Sequence, residues 1–313
     1  MNVRPRRGRT RSRRGLRATI EFLRICAIVN MRGQLLAQQD DDQGHLGVYL
    51  LGAYVIDDTD LWGDGEIYWW SIPVLVDKAG KASCSPLSGL PTGMPPHKVG
   101  SLEWMTNLSL SDPPLIAVLP PDEDLAACVL RLAIYDDDRE PADLPMALGA
   151  GLEALAGLPR ELPAPEQVVA PVRDAIFAAL KAGDDDILID ANITLRRGQT
   201  TRFGAGLIGS EINAMVRVYY LVRDERRTEH AGPFQVLRGQ VEPVRFASKP
   251  QAGGRLSVFA RGAEVNTTAF GTLSTDQPFV NRVLDAAQAS ALADGFNLNG
   301  TGPAKAVAFY TPP

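Results

Sequence analysis

The sequence predicts a mainly β chain: an antiparallel β-sandwich carrying a helical insertion, followed by a small β-rich C-terminal part. Three observations carry this expectation. Short segments rich in β-branched, aromatic and small residues recur between turns. The 313 residues include 29 glycines and 23 prolines, which favours short strands and turns over a helical bundle. Over residues 139–183 the hydrophobic period lengthens to that of a helix.

Taken in order, residues 46–56 read as a strand of β-branched, aromatic and small side chains. An acidic turn follows, Asp57-Asp58-Thr59-Asp60-Leu61-Trp62-Gly63-Asp64-Gly65. Residues 66–76 form the next strand, with Trp69, Trp70, Ile72 and Val74, and Asp77-Lys78-Ala79-Gly80 ends it. Pro86, Pro91, Pro95 and Pro96 make residues 80–113 loop-like, since proline cannot donate to a ladder. Residues 115–119 and 126–135 are further strands. In 165–182, Val168, Val169, Val172, Ile176, Ala179 and Leu180 share one helical face, and Gly183 is a stop signal. Strands resume at 187–195 and 213–222, so the sandwich spans 46–222.

The charged stretch 223–232 is the expected domain boundary. Beyond it, residues 232–313 read as a small β domain or an appendage, with strands at 234–246, 255–261 and 305–310 and a helix at 279–293.

Charge is distributed unevenly. Residues 1–33 hold ten arginines and one glutamate, whereas 34–313 carry a net charge of −14. A body this acidic repels nucleic acid, so phosphate attraction would come from the basic arm alone. That arm reads as a disordered segment, a leader, or a start placed too early with Met31 as the true one. Ser12 to Leu16 resembles part of a twin-arginine export signal, but Glu21 and Arg24 interrupt the apolar patch behind it. No apolar run approaches the ~18–20 residues that a membrane span needs. Compartment and oligomeric state stay open.

Cys26, Cys84 and Cys128 form no C-x-x-C pair, and His45, His97 and His230 lack metal-ligand spacing. One Cys84–Cys128 bridge stays open beside buried thiols. Gly204 to Gly209 matches G-x-G-x-x-G literally, but a strand and not a helix follows, so no helix N-terminus is offered to a pyrophosphate.

The candidate site is acidic. Asp57, Asp58 and Asp60, then Asp136, Asp137 and Asp138, then Asp184, Asp185 and Asp186 all stand where strands begin or end. If the strand directions bring those ends to one pole, nine aspartates converge. Clustered carboxylates repel one another and invite a cation, and calcium accepts ~6–8 such oxygens in flexible geometry. The first cluster is no EF-hand, because Trp62 and Trp69 occupy ligand positions. The bland alternative is that these are solvated turn aspartates.

The pattern resembles C2 domains, β-sandwiches whose loops at one end supply aspartates to calcium. Trp62 to Tyr68, Trp-Gly-Asp-Gly-Glu-Ile-Tyr, also looks like the segment that opens C2-like sandwiches in bacterial proteins. The resemblance covers roughly 46–222. It implies that Asp57, Asp58 and Asp60 match the first calcium loop and that Asp136 and Asp138 match the later Asp-x-Asp loop. The helical insertion departs from the family pattern, and Asp184, Asp185 and Asp186 have no family counterpart. Residues 256–262 and 303–309 are faintly similar to part of a lectin-type propeller blade, although an ordinary strand pair explains them as well.

The expected function is therefore a non-enzymatic, calcium-stabilised binding module with a protein or glycan partner. A metal-dependent hydrolase using the clustered aspartates, with His97 or Arg131 as a charge partner, and a structural subunit of an assembly are the alternatives.

Overall fold

Strand β1 (Leu46–Val55) reveals how the chain is layered, because its side chains are buried on both faces. Val48, Leu50, Ala53 and Val55 enter one core, whereas Leu51, with Tyr49 and Tyr54, enters another. The inward parity changes from even to odd at Leu51. There the ladder to the neighbouring strand skips a residue between Leu50 and Gly52, a β-bulge that turns the later side chains over.

The computed structural model describes residues 45–58, 65–83, 97–136, 186–196 and 206–313, with isolated positions between 150 and 178. The basic arm 1–33, Cys26, Cys84 and most of the helical insertion lie outside the described residues. Of the described positions of the insertion, Gln167, Ala170, Asp174 and Ala178 are helical, whereas Glu161–Leu162 form a two-residue strand. Residues Asp42–Pro313 form one compact unit.

After β1 the described strands of the first half are β2 (Gly65–Asp77), β3 (Ala82–Ser83), β4 (His97–Val99), β5 (Glu103–Trp104), β6 (Leu115–Leu119), β7 (Leu125–Asp136), β8 (Glu161–Leu162), β9 (Asp186–Arg196), β10 (Leu207–Ile212) and β11 (Val216–Asp224). They form two antiparallel sheets. One runs β10-β11-β1, with β5 and β6 on the far edge of β1; the other runs β8-β3-β2-β7-β9, with β4 on β2. Their inner faces share a core built on Ile67, Trp69, Leu130, Leu132, Ile134, Val218 and Tyr220. Cys128 sits in it as a free thiol, and burial pushes its pKa up to about 12. Ser71 Oγ donates to the Ile116 carbonyl across this core at 3.0 Å, which satisfies a buried hydroxyl.

Strand β12 (Glu229–Val236) follows within a short turn, and the remaining strands are β13 (Val241–Val244), β14 (Arg255–Arg261), β15 (Val265–Thr267), β16 (Gly271–Leu273), β17 (Phe279–Val283), β18 (Phe296–Gly300) and β19 (Ala304–Thr311). One sheet has the order β12-β19-β14-β17 and the other β13-β18-β15-β16. Eight consecutive strands paired as first-eighth-third-sixth and second-seventh-fourth-fifth make a double Greek key, the jelly-roll arrangement. The two segments likened to a propeller blade are β14 and β19, direct antiparallel neighbours within this sandwich. Their core holds Leu256, Val258, Phe296, Leu298, Ala306, Ala308 and Tyr310.

The two sandwiches meet sheet to sheet. Leu51, Trp104, Ile208, Tyr219 and Leu221 of the β1 sheet pack on Phe259, Val307 and Phe309 of the β14 sheet. Among the described residues the result is four layers and three cores, with both middle sheets covered on both faces. This explains why β1, β11, β14 and β19 read as nearly continuous apolar runs, whereas outer strands such as β15 and β18 alternate. Gly206 has φ +77, and a Cβ there would lie 1.9 Å from Thr311 Oγ1, so the close approach of the two sandwiches requires glycine. The glycine pattern at 204–209 thus has a packing reason at Gly206, and residues from Leu207 onward form β10.

Three expectations need correction. Residues 279–293 are not one helix: Phe279–Val283 pairs with β14, and the helix is confined to Ala286–Ala291. Asp285 caps it, its side chain accepting from Gln288 N–H while the Gln288 side chain returns to the Asp285 N–H. The sandwich β strand expected from Asn213 begins at Val216, because the Asn213 side chain accepts from the Met215 and Val216 N–H groups and makes a turn. The proline-rich stretch 80–113 contains the short strands β3, β4 and β5.

Candidate metal site at the acidic end of the first sandwich

Asp136 is the last residue of β7. Cys128, Leu130, Leu132 and Ile134 face the core, so period-two alternation brings Asp136 to the core side as well, and it is 0 % exposed. Its register partners are Ile67 on β2 and Asp186 on β9. The carboxylate occupies the space over Gly65: a Cβ on that glycine would lie 2.6 Å from Asp136 Oδ2 and 2.9 Å from Oδ1. Gly65, read from sequence as part of a turn, instead starts β2 and makes room for this buried acid.

The other clusters approach the same end. Gly65 pairs with Val99 at the end of β4, and the β4–β5 turn brings Ser101 to Asp58. Ser101 Oγ donates to Asp58 Oδ1 at 2.8 Å and the Asp58 N–H donates to Ser101 Oγ at 3.2 Å, so Asp58 is only 4 % exposed. Asp57 is exposed, and its N–H donates to the Met215 carbonyl at 3.1 Å. The Asn213 carboxamide donates to the Leu188 carbonyl, which ties the β10–β11 turn to the start of β9 at this end.

The structure therefore places Asp57, Asp58, Asp136 and the backbone of Asp186 at one end of the first sandwich, with Asp136 opposite Asp186. Asp60, Asp137, Asp138, Asp184 and Asp185 lie outside the described residues. Among the described residues, no group of three or more histidine, cysteine, aspartate or glutamate side chains is placed to hold a metal. The turn between β4 and β5 also carries Leu102, 66 % exposed and at φ 64, the left-handed region that a leucine rarely enters.

At the opposite end of β1 a second polar cluster stands. The Tyr49 hydroxyl donates to Glu225, Arg223 Nη2 lies 3.0 Å from Glu225 Oε2, and the guanidinium sits 5.6 Å from the centre of the Tyr49 ring. Burial, then the bond to Glu225, holds the Tyr49 phenol well above its ordinary pKa.

Sequence reasoning missed Arg261. It is 5 % exposed on β14, and its guanidinium donates to the Met105 and Leu108 carbonyls of the other sandwich. Burial lowers its pKa to about 10. The signal was its parity: Arg261 shares the face of Ser257 and Phe259, a face that only the packing of one sandwich on the other buries.

No family model and no curated protein matches this chain. Among solved structures, human GIVD cytosolic phospholipase A2 in complex with methyl γ-linolenyl fluorophosphonate inhibitor and terbium chloride aligns at 11% identity over 86% of this chain and 32% of that chain, with a TM-score of 0.26. The same enzyme with methyl γ-linolenyl fluorophosphonate aligns at 11% identity over the same shares with a TM-score of 0.25. The match spans about a third of that protein's length, and a likeness of this degree carries no argument here. What the fold itself defines is a mainly β, antiparallel, sandwich-built protein.

Proposed function

We propose that the chain is a non-enzymatic binding module, C2-like in its first sandwich, whose acidic end is stabilised by calcium and whose C-terminal sandwich contacts a protein or glycan partner. One observation carries the reading: the fully buried Asp136 carboxylate, seated over Gly65 and opposite Asp186, at the same end as the buried Asp58. Carboxylates gathered at one end of a sandwich, one of them removed from water, favour a bound cation. The donors are hard oxygens, which fits calcium. Asp58 and Asp136 would hold it together with oxygens from Asp57, Asp60, Asp137, Asp138, Asp184, Asp185 and Asp186.

The position of Arg131 supports a binding role over hydrolysis. It lies on the outer face of β7, where Asp190 holds its guanidinium through two bonds of 2.5 and 2.7 Å, pointing away from the core side occupied by Asp136.

The test is a calcium titration followed by thermal unfolding. At ~100 times its dissociation constant the ion adds about 2.7 kcal/mol, a rise of roughly 5 °C for a chain of this size. Asp136→Asn and Asp58→Ala are expected to abolish the rise. No shift of wild type at millimolar calcium refutes the reading, and metal-dependent phosphoester turnover lost in Asp136→Ala establishes the hydrolase in its place.

A further inference from the structure

Where the apolar layer between the two sandwiches ends, it opens into a cleft of about 440 Å³. On the jelly-roll side its floor is a row of three cross-strand neighbours. Gln235 on β12 is opposite Lys305 on β19, and Lys305 is opposite Arg261 on β14. Directly opposite residues share a face, and this is the face of Phe259 and Val307, one row further out. The facing wall is residues 106–111 of the first sandwich, which present the Ser109 and Ser111 hydroxyls, 2.9 Å apart. Pro233 supplies an apolar edge, while the Phe234 side chain, opposite Ala306, turns into the jelly-roll core.

The charge of this row is unbalanced. Two cations directly opposite on one sheet face repel each other. Lys305 is exposed and solvated, but Arg261 is buried, and its bonds go to two neutral carbonyls. Among the described residues no carboxylate pairs with either, and burial alone accounts for the lowered pKa of Arg261, with no acid acting on it. A buried cation without a counter-charge is costly, and one at the foot of an open cleft can be neutralised from outside. The space is the size of a small-molecule site.

We propose that this cleft binds a carboxylate-bearing sugar, its carboxylate at the Arg261–Lys305 pair and its hydroxyls at Ser109, Ser111 and Gln235. The net charge of −14 over residues 34–313 repels extended polyanions, which selects a small singly charged ligand. Serine hydroxyls and a glutamine carboxamide match sugar hydroxyls, and the Pro233 surface matches the C–H face of a sugar ring. The inference rests on the reading of the chain as a binding module and not on its cation.

The experiment uses the full chain in EDTA, with thermal unfolding and titration calorimetry against sodium galacturonate, galactose and sodium chloride at equal concentration. Galacturonate is expected to raise the melting temperature by a few degrees at ~100 times its dissociation constant, and galactose and sodium chloride are not. Lys305→Glu places a carboxylate opposite Arg261; it is expected to melt no lower than wild type and to bind galacturonate at least tenfold more weakly. Equal responses to galacturonate and galactose, or no response to either, overturn the proposal, as does Lys305→Glu that keeps the full response. A calcium shift without a galacturonate shift overturns this inference alone. A galacturonate shift without a calcium shift supports it and overturns only the cation reading.

Discussion

Phe259→Ala tests whether the two sandwiches share a core. Phe259 is fully buried, 5.6 Å from the Tyr219 ring centre and 6.0 Å from that of Trp104, both on the opposing sheet. Truncating a buried phenylalanine costs about 3–5 kcal/mol, with the larger values where the surroundings cannot collapse. Here the rings of Trp104 and Tyr219 are held on paired strands, and two aromatic contacts are lost as well, so about 4 kcal/mol is expected. Gly52 supplies an internal check. A Cβ there would lie 3.2 Å from Phe259 Cζ and 3.2 Å from Trp104 Cζ3, so Gly52→Ala alone costs about 1 kcal/mol by overpacking. In the Phe259→Ala background that cost should fall, because one of the two contacts is gone and the space left lets the Trp104 ring give way. Urea unfolding followed by far-ultraviolet circular dichroism and by tryptophan fluorescence measures both effects. A loss below 1 kcal/mol for Phe259→Ala, or strictly additive effects of the pair, refutes the shared layer.

Two further outcomes follow from the same geometry. Gly65→Ala is expected to destabilise by about 1–3 kcal/mol in EDTA, since its Cβ would meet the Asp136 carboxylate, and Asp136→Ala in the same chain should recover most of it; additive losses in urea refute the contact. His230 is stacked on Phe309 at 5.2 Å with a buried Nε2 that has no hydrogen-bond partner, and burial lowers its pKa below the ordinary 6.5. The unfolded chain binds the proton more readily, so this contribution is present above about pH 6.5 and is lost as pH falls from there through the folded pKa. His45 is lowered in the same direction, first by burial. His230→Phe should therefore flatten, without abolishing, the fall in stability between pH 7 and 5; an unchanged slope in denaturant titrations at each pH argues against it.

Most strands were legible in the sequence because β-branched and aromatic residues cluster between turn signals, and so 46–55, 65–77, 115–119, 125–136 and 186–196 emerged within a residue or two. The acidic strand ends were legible for the same reason, since aspartates gather where ladders stop. Short strands such as β4, β5 and β10 were not, because two to six residues carry no period of their own and are fixed by a neighbour already in place. The 279–293 helix failed on one detail. Phe279 and Val280 fit a helical face as well as a strand, and only the free edge of β14 decides between them.

The sequence by itself determined the β class, the turns, the acidic clusters and the charge asymmetry, all of which rest on local preferences and composition. Only the tertiary structure decided that sheet packs on sheet to give four layers, that Asp136 is sealed over Gly65, and that Lys305 stands opposite Arg261. Each of these depends on register between strands far apart in the chain. A one-residue shift in that register would turn the same side chains to the other face, and nothing local encodes it.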